Sequence, residues 1–163
     1  MKKYLMIAAA VAAVSATPAM AATYDVKANV AATCTALTGS TSDLDFGTLT
    51  VGADGKLTGS YSKNSSQANV MCNGSNTTIT VTKTAMTNSA TLTDTTNFTN
   101  TIDYTATVSL AGSPVTVDGS PHVVGELYGT LSITAGTLAP SGSKALLAGS
   151  YAGTVVVTLT PTA

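Results

Sequence analysis

Charge is scarce in this sequence. Asp, Glu, Lys and Arg make up 9% of its 163 residues, against roughly a quarter in an average soluble domain. There is no arginine, and two of the seven lysines, Lys2 and Lys3, fall within the first three positions. From residue 22 onward five lysines face eight acids, a net charge of −3. No basic patch can form on such a surface. Nucleic acid and anionic membrane are therefore excluded as partners, because both are bound through cations that neutralise phosphate. Histidine occurs once, at His122, in a Ser120-Pro121-His122 turn near Asp118, and the sequence contains no Gly-x-Ser-x-Gly elbow. Nucleophilic catalysis needs an oriented base beside its nucleophile and an oxyanion site. His122 reads instead as a surface-loop residue, and no catalytic residue is expected. Asp43, Asp45 and Asp54 do not have the spacing of a calcium loop, so no metal or cofactor is expected either.

Long apolar runs are absent but for one, Leu5 to Val14 (LMIAAAVAAV). At about 1.5 Å per residue it would cross only about half of a bilayer core as a helix. Preceded by Lys2 and Lys3 and followed by Pro18-Ala19-Met20-Ala21, it has the three parts of a removable export signal. Cleavage is expected after Ala21, where Ala19 and Ala21 supply the small side chains that signal peptidase requires. The released chain of 142 residues is one domain in length, with no membrane span.

What the sequence has in abundance is Thr, Ser, Asn and Gly. These residues disfavour helix and suit pleated strands and tight connections. Alternation of apolar and polar residues marks strands at 24–32 and 43–51, the second bent at Gly47-Thr48. Further strands are expected at 68–72, 77–83, 102–110, 123–134 and 151–160. Turns are expected at Ala53-Asp54-Gly55-Lys56, Asn73-Gly74-Ser75-Asn76 and Gly112-Ser113-Pro114, and loops over 88–100 and 135–149. Short strands separated by turns predict an all-β chain folded as an Ig-like antiparallel β-sandwich. Cys34 and Cys72, an even count in an exported chain, predict a disulfide.

The stretch YDVKANVAATC (24–34), then DFGTL (45–49), NVMCNGS (69–75) and GSYAGTVVVTLT (149–160), taken in that order, resemble the spore-coat-U-domain proteins. That group includes the major pilins of archaic chaperone–usher pili. The resemblance implies a pilin-like sandwich that is incomplete and is completed by a donor strand. A periplasmic chaperone first lends a strand, and an outer-membrane usher then exchanges it for the N-terminal segment of another copy or a sister subunit. On this sequence Tyr24, Val26, Ala28 and Val30 match the donor strand, and Cys34 with Cys72 matches the bridge. Val155, Val157 and Leu159 match the strand beside the acceptor groove. The implied organisation is a signal at 1–21, a donor segment at 22–33 and a sandwich at 34–163, exported to the periplasm of a Gram-negative cell and then to its surface as a pilus. The alternative is a self-complemented exported sandwich with an adhesive or envelope-binding role, in which strand 24–32 pairs within its own chain.

Overall fold

The computed structural model describes residues 25–35, 37 and 44–162. The expected signal peptide with Ala19 and Ala21, and Tyr24 of the expected donor strand, lie outside them. The chain divides into a segment that ends at Val30 and a β-rich body that begins at Ala31.

The body is all-β. Its strands are β1 (Ser62–Cys72), β2 (Thr78–Thr87), β3 (Phe98–Thr99), β4 (Thr101–Leu110), β5 (Ser113–Val115), β6 (Pro121–Val123), β7 (Leu127–Pro140), β8 (Ala145–Leu146) and β9 (Ala152–Thr160). One antiparallel sheet runs β1–β7–β4–β2, with β5 added on β4 and both β6 and β9 on β2. β2 meets β4 only at Met86–Ile102 and Thr87–Thr101. The rest of β2 pairs with β9 and, over Thr78–Thr80, with β6. The sheet therefore curls into two layers, β1, β7, β4 and β5 opposite β6, β2 and β9. The short β3–β8 pair stands apart and is parallel.

Apolar residues at alternate positions fill the space between the layers. One cluster joins Val70, Ile79, Val81, Val108, Leu110 and Leu131. A second joins Met86, Ile102, Tyr104 and Ala135, covered by Leu44, Phe46, Leu49 and Leu57 from the segment before β1. Where β2 leaves β4, Lys83 Nζ donates to the Tyr104 carbonyl at 2.7 Å and lies 5.1 Å from the centre of the Tyr104 ring. The β4–β7 register slips at that point, between Asp103 and Thr105. The lysine thus supplies a donor where regular pairing is interrupted.

Several expected elements are corrected. No strand forms over 24–32 among the described residues, nor over 44–50. In the second stretch the alternation still places Leu44, Phe46 and Leu49 inward and Asp45 outward. Gly47 is at φ +67°, the bend the sequence predicts, and its N–H donates to Asp45 Oδ1 at 2.7 Å. β1 begins at Ser62, well before Ala68. A bulge between Gln67 and Val70, with Asn69 at φ +59°, reverses which face points inward and hides the strand from a period-2 reading. The expected loop at 135–149 is strand as far as Pro140, because β4 pairs with it through Ile102–Pro140 and Asp103–Ala139. His122 lies within β6, opposite Ile79 of β2, and is half-buried. The β4–β5 turn is centred on Ala111 and Gly112, both at positive φ, which is the geometry of a two-residue hairpin loop.

Cys34 and Cys72 are bonded, closing a loop of 38 residues with their Cα atoms 4.1 Å apart. Replacing both by serine is expected to lower the unfolding free energy by about 2–5 kcal/mol, read as a drop in urea midpoint between the two proteins under oxidising conditions. Ile79→Ala, at a fully buried position, is expected to cost about 2–5 kcal/mol in the same measurement.

Candidate functional site

The feature with most functional content is the outer edge of β9. This strand pairs with β2 on one side, from Thr160–Thr78 to Ala152–Thr87. Among the described residues no strand pairs with its other side. Its nine residues, AGTVVVTLT, include no charge and no proline. Natural edge strands are usually shielded by such residues, by bulges or by a covering loop.

The side chains beneath this edge are also incompletely covered. Ile79 and Val81 of β2 have no exposed surface. Val155, Val157 and Leu159 pack on the same cluster one strand away and are only half-buried. The cause is positional, since β2 is flanked on both sides along much of its length and β9 on one. Leu37, Val115, Val117, Val124 and Leu127 are likewise half-buried against this cluster. The sequence places the three β9 residues on one face, and the structure puts that face along an open margin of the core. It does not single out Leu37 or the 115–127 residues, whose short segments are too irregular to show a period.

The segment to Val30 is described on its own. Among the described residues, 25–30 form no strand, helix or turn. Val26 and Val30 expose 94% and 80% of their surface, and Ala28 is also exposed. An exposed ion pair links Lys27 to Asp25 at 4.0 Å. A strand needs a partner to satisfy its backbone groups, and the alternation of this segment has none among the described residues.

Immediately after it, residues 31–35 run beside the end of β1. The Thr35 N–H donates to the Met71 carbonyl at 2.7 Å, and the Asn73 N–H donates to the Thr33 carbonyl at 3.1 Å. These bonds flank the Cys34–Cys72 bridge. Asn73 was legible in the sequence only as a turn residue.

A cleft of about 570 Å³ opens between 113–116 and 122–128, lined by Leu110, Val115, His122, Val124 and Glu126 among others. His122 Nε2 lies 3.0 Å from Asp118 Oδ1, which also accepts the Ser120 N–H at 2.8 Å. Gly119 N–H donates to the Val81 carbonyl at 2.9 Å, so the pair pins the β5–β6 connection onto β2. Among the described residues no three His, Cys, Asp or Glu side chains gather as a metal site. No helix there is long and apolar enough to cross a membrane.

Comparison with protein-family models, curated proteins and solved structures finds no match to this chain.

The Ser120 N–H and His122 hold the Asp118 carboxyl below the usual carboxylate value. The Asn97 side chain and backbone do the same for Asp94. A lowered folded-state value gives stability that is present above the unfolded carboxylate value and lost as pH falls through the folded one. The urea midpoint is therefore expected to fall as the pH drops below about 4. Asp118→Asn is expected to shrink that fall by lowering the neutral-pH midpoint more than the acid one.

Proposed function

We propose that this protein is an exported, pilin-like structural subunit that polymerises by donor-strand exchange, as the resemblance to the spore-coat-U-domain proteins implies. The observation that carries the reading is the outer edge of β9, which is unpaired among the described residues, uncharged and flanked by the half-buried Val155, Val157 and Leu159. An extended segment laid along it would complete the sheet by β-augmentation. The donor is the part of the expected donor segment 22–33 that precedes Ala31, from another copy, through Tyr24, Val26, Ala28 and Val30. A periplasmic chaperone would hold the same edge before assembly, and an outer-membrane usher would exchange the two. The disulfide fits an oxidising compartment such as the periplasm.

The energetics favour a slow off-rate. Val26 and Val30 expose most of their surface, and burying both would supply about 3–6 kcal/mol before ordering costs. Each added ladder bond contributes about 0.5–1.5 kcal/mol. Release would require those bonds and that burial to be lost together.

Signal-cleaved protein is expected to run as a ladder on SDS gels when unheated and to collapse to one band after boiling. A variant beginning at Cys34 should form no ladder by itself, and V26D/V30D in the longer chain should abolish it. Stable monomers from both the 22–163 and 34–163 chains would overturn the proposal in favour of a self-complemented sandwich.

A further inference from the structure

Strand β1 ends at Cys72, yet pairing with the preceding segment continues past it, and Asn73 is the reason. Its backbone N–H donates to the Thr33 carbonyl at 3.1 Å. Its side-chain Oδ1 accepts the Thr33 N–H at 2.6 Å, and its Nδ2 donates to the Ala31 carbonyl at 3.1 Å. A carboxamide carries one acceptor and two donors on a planar group. Here it takes the place of the next peptide unit in the ladder and grips two backbone groups, two residues apart, that would otherwise be unpaired. The position is constrained on its other side as well. A Cβ at Gly74 would lie 2.5 Å from the Thr162 carbonyl oxygen, so the backbone that carries Asn73 packs closely against the chain after β9.

We propose that Asn73 is a positioning residue that anchors the N-terminal arm at Ala31 and so sets its free length. This rests on the donor-strand reading and on cleavage after Ala21. The arm then comprises residues 22–30, nine residues, matching the nine residues of β9. Extended, it reaches about 30 Å. Without the carboxamide, residues 31 and 32 are released up to Thr33, whose carbonyl the Asn73 backbone N–H still holds, which adds about 7 Å of slack. The arm could still seat in a neighbour, but the link between successive subunits would be longer and looser. Asn73 thus acts on the geometry of the polymer and not on the capacity to polymerise.

The probes are Asn73→Ala, which removes both side-chain bonds, and Asn73→Asp, which keeps the shape but turns an acceptor toward the Ala31 carbonyl. In signal-cleaved protein, hydrogen exchange at the Thr33 amide is expected to quicken about tenfold in Asn73→Ala and less in Asn73→Asp, whose carboxylate keeps the acceptor for that amide, with the Val81 and Ile102 amides unchanged in both. The heat-labile ladder should persist, while negatively stained filaments show a wider spread of bending angles than wild type. Unchanged Thr33 protection in both variants, or filaments as straight as wild type, would overturn the proposal. A wild type that forms no ladder would overturn the donor-strand reading, and the arm-length role with it. In that case Thr33 exchange still decides separately whether Asn73 holds 31–33.

Discussion

Main-chain pairing along β2 is the interaction on which the rest of this structure depends. β2 bonds β9 along nearly its whole length, β6 at one end and β4 at the other. Because its contact with β4 is limited to two residue pairs, the sheet folds over instead of lying flat. That fold brings Ile79 and Val81 against Val108, Leu110 and Leu131. Charge contributes little by comparison, since the lysine–carboxylate ion pair among the described residues, Lys27–Asp25, joins two exposed side chains. The polar side chains that bond to backbone at turns are mainly aspartate, asparagine and threonine.

The same economy of charge bears on the open margin. A long, flat edge strand without lysine or proline is an aggregation hazard unless another segment covers it. β9 has neither residue, and the half-buried Val155, Val157 and Leu159 add an apolar incentive to backbone groups that are unpaired among the described residues. The segment that bears Val26 and Val30, unpaired among the described residues, exposes apolar side chains of its own. The disulfide and Asn73 hold the root of that segment to β1 through three consecutive pairings. One physical requirement, the satisfaction of backbone donors and acceptors, thereby links the fold, the exposed edge and the arm.

Much of this was legible in the residues themselves. The β4 and β9 strands, the 53–56 turn and the disulfide appear where alternation, the Asp-Gly step and cysteine count place them, while the turn expected at 73–76 closes one residue later, from Gly74 to Thr77, because Asn73 pairs with Thr33. What escaped did so for identifiable reasons. The first half of β1 is polar and its face switches at the Asn69 bulge, so no single period runs through it. The end of β7 carries Ala135, Gly136, Ala139 and Pro140, residues of weak strand propensity held there by β4. Leu44, Phe46 and Leu49 alternate as a strand does but bury their faces without a ladder.

The sequence by itself determined that the chain is all-β, that Cys34 and Cys72 can pair, and which faces of 24–32 and 151–160 are apolar. These follow from local chemistry: side-chain period, turn residues and the count of thiols. Only the tertiary structure decided that no described strand pairs with the outer edge of β9, that its apolar face is half-buried, and that Asn73 grips the chain at Ala31 and Thr33. Those facts depend on which segments lie side by side, and a period of two says which face of a strand is apolar without saying how many neighbours will cover it.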